Sequence, residues 1–385
     1  MNNRDAYIIL NALPDIGPLR VQSLINFFGE PKLILEKSKA ELQRVQGIGA
    51  NRAEVLLHWR NHCDLDEEKK RVEQAGVTLV TRDDECYPPL LREIHDPPLC
   101  LYVRGNPDAL KRTASAVAMV GSRRTTNYGK KVADNLGTAA AAAGWPVISG
   151  LARGIDTIVH EAVVRMDGCA IAVIGSGLGR IYPQENIKLA RRIADNGVVV
   201  SEFPMHYAPA KRSFPMRNRI IAGMASGTVV IEAGHRSGSL ITASQALEQN
   251  RQVFAIPGRV DSPQSKGCNK LIRDGAYLVE SFQDILETFS FLPGLAPESP
   301  ESRYHKDQMG AVQTNTNPGG GLTFSELEAK LLALLETEEM QIDNLVAEVD
   351  EPIQAVYQAL FTLELKRVVR QLPGKRVTKI ENIQH

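Results

Sequence analysis

Between residues 113 and 290, short apolar runs alternate with stretches whose apolar residues recur every three or four positions. The runs at 116–120, 147–148, 170–174, 198–201, 228–231 and 252–256 are rich in valine and isoleucine and show little two-residue alternation. A strand covered on both faces has that pattern. Helical spacing follows at 127–143, 156–166, 186–196, 217–225 and 239–249. Strand and helix in alternation predict an α/β fold, a parallel sheet with helices on both sides. Right-handed crossovers then bring every strand's carboxyl end to one edge, where a ligand is expected.

The flanks read differently. Strands are predicted at 77–81 and 99–103, with Pro88-Pro89 and Pro97-Pro98 between them precluding a continuous helix. They attach to the sheet as extra strands. Residues 1–62 read as short helices with glycine turns at 13–29 and 45–59, and this part resembles a tandem helix-hairpin-helix module. Gly47 and Gly49 permit a tight turn that could aim N–H groups at a phosphate. An ordinary helical turn fits as well, and better in a segment (1–112) of net charge −1. Residues 291–321 are rich in Pro, Gly, Ser, Asn and Thr and read as a flexible linker. Residues 322–385 give helices at 324–336, 342–349 and 351–366 and a hairpin pairing 367–372 with 376–380, an order that resembles a winged helix. The third helix has no basic stripe, which favours a protein partner or a structural role over groove reading. The expected domains are thus 1–62, an α/β domain at 63–290, the linker, and the winged helix at 322–385.

Composition narrows the possibilities. The 385 residues are 43% hydrophobic and 23% charged, which excludes a wholly disordered chain. Lys plus Arg equals Asp plus Glu, but residues 113–290 carry +6 while 322–385 carry −4. Five cysteines, none in a C-x-x-C pair, argue against a disulfide framework or zinc ribbon and fit a reducing compartment. With no signal-peptide pattern at the N-terminus and no long apolar run, a cytoplasmic protein with no membrane segment is expected.

The chemistry gathers in the loops after the strands. Gly121-Ser122-Arg123-Arg124, Ser149-Gly150 with Arg153, Gly175 and Gly177 with Arg180, the 201–204 turn, Ser237-Gly238-Ser239 and Pro257-Gly258 each put small residues directly after a strand. One such loop is only a tight turn; six on one edge predict a trough lined with N–H donors. Beside it, residues 211–219 place Lys211, Arg212, Arg217, Asn218 and Arg219 around Phe214. Cations on phosphates and a ring under a base suit a single strand. Burial is the competing role for Phe214, and solvation or a buried ion pair for Arg217 and Arg219. No G-x-G-x-x-G follows the first core strand and no Walker A loop exists, so neither NAD nor another cofactor is expected. The histidines show no zinc spacing; His160 reads as surface or packing, and His235 sits in a loop without an assignable triad. Glu202 and Glu232, each after a strand and expected to face the trough, leave open hydrolysis of a nucleotide glycosidic bond by general acid–base work. Their plainer role is hydrogen bonding to loop N–H groups.

Taken in order, V-G-S-R at 120–123, S-G-L-A-R-G-I-D at 149–156, G-x-G-x-x-x-x-Y-P at 175–183, S-E-F-P at 201–204, F-P-x-R-N-R-I-I at 214–221, S-G-S-L-I-T-A at 237–243 and G-C-N-x-L-I-x-x-G-A at 267–276 resemble the DNA processing protein A family, also called DprA or Smf. The resemblance implies a non-catalytic protein that binds single-stranded DNA, protects incoming strands in natural transformation and helps load the RecA recombinase. It also implies an extended Rossmann-like domain at 63–290, a homodimer through that domain, and a sterile-alpha-motif-like domain at 1–62. Arg123 and Lys211 match the family's phosphate and base contacts; no motif anchors the dimer or RecA contacts.

Overall fold

Nine strands make one sheet: β1 (Val77–Thr81), β2 (Cys100–Gly105), β3 (Val117–Gly121), β4 (Val147–Ser149), β5 (Ala170–Val173), β6 (Val198–Ser201), β7 (Gly227–Glu232), β8 (Gln252–Ala255) and β9 (Tyr277–Leu278). Their order across the sheet is β1-β2-β6-β5-β4-β3-β7-β8-β9. The pairs from β6 through β3 to β9 are parallel, while β2 runs antiparallel to both β1 and β6. This computed structural model describes residues 1–290, 326–335, 340–349, 356, 359–360, 363, 368–372 and 376–379. The chain divides into two compact units, Met1–Met309 and Gly310–His385.

The apolar runs are buried on both faces, as read from their lack of alternation. In β3, Val117 and Met119 enter one core while Ala118 and Val120 enter the other. In β5, Ala170 and Ala172 separate from Ile171 and Val173 in the same way. Helices Asn127–Ala142, Ile155–Arg165, Ile187–Asn196, Ser213–Met224 and Ser239–Glu248 supply the crossovers. The helix expected at 217–225 begins at Ser213, so Phe214 and Pro215 lie in its first turn, where proline costs no hydrogen bond. Helices Lys266–Arg273 and Phe282–Ser290 and strand β9 give no apolar run: β9 is two exposed residues. Phe282 and Phe289 nevertheless cover Trp145, with ring centroids 5.9 and 5.5 Å away.

The topology decides where a crevice forms. From β3 the chain steps outward through β4, β5 and β6, then returns to lay β7 on the opposite side of β3. Crossovers leave β3 and β7 in different directions, so their carboxyl ends stand apart at a topological switch point.

The amino-terminal helices include Asn3–Ala12, Pro18–Phe28 and Ala50–Leu57; Gly17 and Gly49 cap the last two, and Gly47 turns with φ +85°. They have their own core around Leu24, Ile34 and Leu56 and bind the sheet through Asn11, whose amide donates to the Glu202 carbonyl at 2.7 Å. In the second unit, helices Glu326–Leu334 and Ile342–Val349 accompany β10 (Met340–Gln341), β11 (Val369–Leu372) and β12 (Arg376–Lys379), ordered β10-β12-β11. The hairpin of the sequence reading is the β11–β12 pair. Of the third helix, Val356, Ala359, Leu360 and Leu363 are described and helical; the linker at 291–321 lies outside the described residues. All five cysteines are free, no group of metal-ligating residues occurs among the described residues, and none of their helices is long and apolar enough to cross a membrane.

Candidate nucleic-acid interface

At the switch point lies an open cleft of about 860 Å³, walled by the loops after β3, β4, β5, β6, β7 and β8. Its first wall is the loop 121–126. The Ser122 N–H donates to the Glu232 carbonyl at 2.7 Å, and the Arg124 N–H donates to Ser122 Oγ at 3.1 Å. The Thr126 N–H and Oγ1 donate to the Glu232 carboxylate at 3.0 and 2.5 Å, while Thr126 Oγ1 accepts from the Gly129 N–H and caps helix Asn127–Ala142. A buried carboxylate at the end of β7 thereby fixes a loop that starts from β3. Arg123 and Arg124 emerge from it exposed, and the Arg123 N–H has no protein acceptor among the described residues.

The floor belongs to Arg217. It is 4% exposed, yet its guanidinium makes no hydrogen bond or ion pair with any described residue, and its Nε is wholly unpartnered. It fits because residue 150 is glycine: a Cβ there would fall 1.5 Å from Arg217 Nη1. The nearby Asp156 is also buried, and its carboxylate accepts from the N–H groups of Gly150 and Ala152 at 3.2 and 3.3 Å. Burial pushes the Asp156 carboxyl up and Arg217 opposes it; burial lowers Arg217 to about 10, with Asp156 pulling it back and Arg123 adding to the fall. At neutral pH Arg217 is still a cation, and a desolvated one.

The second wall is aromatic. Phe214 is half-buried, with the Arg123 guanidinium 5.3 Å from its ring centroid and the exposed Tyr182 ring 5.7 Å away at 50°. Lys211 is exposed at the same rim. Across the cleft stand Arg236, Ser237, Gly238 and Ser239; Asn218 Nδ2 reaches to 3.5 Å of the Gly238 carbonyl. Arg123, Arg124, Lys211, Arg217 and Arg236 thus share a cleft with one carboxylate, Asp156.

Gly121, Ser122, Arg123, Lys211, Phe214, Arg217, Asn218, Ser237, Gly238 and Ser239 all line this cleft. Gly150 and Arg153 line a smaller pouch beside it. Four expected residues lie elsewhere. Ser149 is buried beneath, its hydroxyl donating to the Met119 carbonyl at 2.6 Å. Gly175 and Gly177 make room for protein rather than an anion: a Cβ on Gly177 would meet the Pro204 carbonyl at 2.0 Å, and one on Gly175 would touch Phe214. Arg219 is the buried ion pair, bound to Glu202 and, at 3.1 Å, to Asp96. Several N–H groups expected to hold phosphate are already committed, Ser122 to Glu232, Gly150 to Asp156, and Ser237 and Ser239 within their own turn. Side chains therefore supply most of the cleft's charge.

Glu202 and Glu232 do not face the cleft. Glu202 is locked to Arg219 and Glu232 to Thr126, so neither is placed for acid–base work on a ligand there. His160 is wholly buried, and burial lowers it to about 3. The sequence reading missed Tyr182, Arg236 and Gln264 as lining residues and Asp156 as the floor's carboxylate. Tyr182 and Asp156 belong to motifs already quoted, and Arg236 directly precedes Ser237.

Comparison with known proteins places the chain among its relatives. The family model described as DNA recombination-mediator protein A matches residues 78–290, and the DprA winged helix domain matches 318–375. Protein Smf of Escherichia coli is 38% identical over 363 residues, covering 92% of this chain and 93% of its own. The X-ray structure of DNA processing protein A from Streptococcus pneumoniae superposes with a TM-score of 0.65 at 34% identity, over 74% of this chain and 98% of that one. A structure concerning the single-stranded DNA binding mode of Helicobacter pylori DNA processing protein A gives a TM-score of 0.51 at 29% identity, over 56% of this chain and 98% of that one.

Proposed function

Because the chain belongs to the DNA recombination-mediator protein A family, we propose that it binds single-stranded DNA in the switch-point cleft, without catalysis, and mediates recombination by protecting incoming strands and loading RecA. The observation that carries this reading is the pairing of five cations with an aromatic wall of half-buried Phe214 and exposed Tyr182 at one crevice. Cations neutralise phosphates along a flexible strand, and a ring stacks a base without reading its edges. The relative from Helicobacter pylori, which is 29% identical, is described as binding single-stranded DNA. Phosphate contacts come from Arg123, Lys211 and Arg217, with the Arg123 N–H adding a main-chain donor. Phe214 stacks a base, with Tyr182 beside it.

The protein acts in the cytoplasm as a homodimer through its Rossmann-like domain, on DNA arriving in natural transformation. The domain limits 1–62, 63–290 and 322–385 belong to the same proposal.

A binding titration over a salt series, with single- and double-stranded oligonucleotides, tests it. Single-strand affinity is expected to fall by roughly 0.7 log units per decade of salt for each phosphate neutralised. Lys211→Ala should weaken binding and reduce that slope by about 0.7. Unchanged affinity and slope would remove Lys211 from the phosphate contacts, and equal affinity for duplex would overturn the single-strand reading.

A further inference from the structure

Behind the aromatic wall, the cleft opens into a pouch of about 50 Å³. Its lining includes Arg123, Arg153 and Arg217 with Tyr182, Phe214 and Gly150. Three arginines thus border one small space. Arg153 is held at the lip by Glu185 in a two-pronged pair, with side chains 58% and 52% exposed. Such a surface pair stabilises little and exchanges readily for another anion. Arg217 is the opposite case: buried, cationic and without a hydrogen bond to the described residues. An unpartnered buried guanidinium costs stability unless an anion completes it. Asp156 does not do so, since it lies beyond ion-pair distance and its carboxylate is engaged by the Gly150 and Ala152 N–H groups.

We infer that this pouch is a binding site for a terminal phosphate, a phosphomonoester at the end of a DNA strand whose last base lies in the neighbouring cleft. The inference rests on the single-strand reading above. The volume holds roughly three or four water molecules, about one phosphoryl group. A phosphodiester inside a strand carries a nucleoside on each side, and the pouch has no room for the second. A monoester carries one, which can remain against Phe214 and Tyr182 in the cleft. The monoester also bears nearly two negative charges at neutral pH, against one for the diester. The planar forks of Arg217 and Arg153 suit its oxygens.

The test compares one single-stranded oligonucleotide bearing a 5′-phosphate, a 3′-phosphate or hydroxyls at both ends, titrated against the full chain. One phosphorylated end should bind on the order of tenfold tighter than the hydroxyl form, as expected for charge-assisted hydrogen bonds. Arg217→Lys, which keeps the charge and loses the fork, should narrow that ratio whatever it does to total binding. Should that variant fold poorly, the wild-type ratio still decides. Equal affinity for all three ends would overturn the inference. A ratio that survives both Arg217→Lys and Gly150→Ala would remove it from this pouch. Failure of every oligonucleotide to bind would strike the proposed function itself. Inorganic phosphate and adenosine 5′-monophosphate should compete away the added affinity at millimolar concentration. Micromolar binding of the monophosphate alone would assign the pouch to a free nucleotide and overturn the strand-end assignment.

Discussion

Arg217 depends on a hydrogen atom at residue 150. Gly150→Ala must displace the guanidinium, because the added methyl group would occupy its place. The expected result is weaker single-strand binding, seen in a titration, with a smaller change in thermal stability. Phe214→Ala removes a ring that lies tilted beside Tyr182 and under Arg123. It should cost about 1–3 kcal/mol of single-strand affinity, nearly independent of base sequence because every base offers a π-face. His160 carries a pH signature. Its folded pKa of about 3 lies below the ordinary 6.5, so the unfolded chain binds the extra proton between those values. Stability is therefore lost as pH falls from about 6.5 toward 3, by at most roughly 1.4 kcal/mol per pH unit. The buried carboxyls of Asp156 and Glu202, raised by burial, slope the other way. Chemical denaturation at pH 7 and pH 5 of wild type and His160→Leu isolates the histidine: the gap between the two proteins should shift in favour of the variant at pH 5.

At the scale of elements, glycines in the strand-to-helix turns act mainly by letting protein approach protein. Gly154, at φ +83°, lies where a Cβ would strike the Ser122 carbonyl at 2.3 Å, so the turn after β4 presses on the loop after β3. Glu232 completes the arrangement by joining β7 to the cap of helix Asn127–Ala142. Thr126→Ala removes that cap and one of the Glu232 bonds. It should destabilise the fold by about 0.5–2 kcal/mol, measured by denaturant unfolding, and weaken DNA binding by loosening the loop that carries Arg123. The helix Ser213–Met224 serves the site from another side: its first turn supplies Phe214, its second Arg217, and its buried Arg219 anchors it to Glu202 at the end of β6.

For the whole molecule, every lining residue of the cleft lies between Val120 and Gln264, inside the first unit. A chain ending at residue 309 should therefore retain the single-strand affinity and salt slope of the full protein. A large loss in that titration would transfer the main binding work to the second unit. Among the described residues, the second unit's core gathers Leu331, Leu345, Leu360 and Val377.

Local pattern was enough for the sheet. Unbroken Val/Ile runs between helical repeats mark strands covered on both faces, and the glycine turns and the 211–219 cluster mark the edge where the cleft lies. These features depend on short-range periodicity and chain handedness, which neighbouring residues carry. Two-residue β9 escaped notice because its side chains are exposed and show no such pattern. The roles of individual charges also escaped. Arg217 and Arg219 are two positions apart on one helix, yet Gly150 and Asp156 surround the first while Asp96 and Glu202 bind the second. Those neighbours come from other segments of the chain, on other loops, and only folding brings them within a few ångströms. A coulombic partner is a fact of distance in space, so tertiary structure alone decided which arginine holds the fold together and which was left facing the cleft.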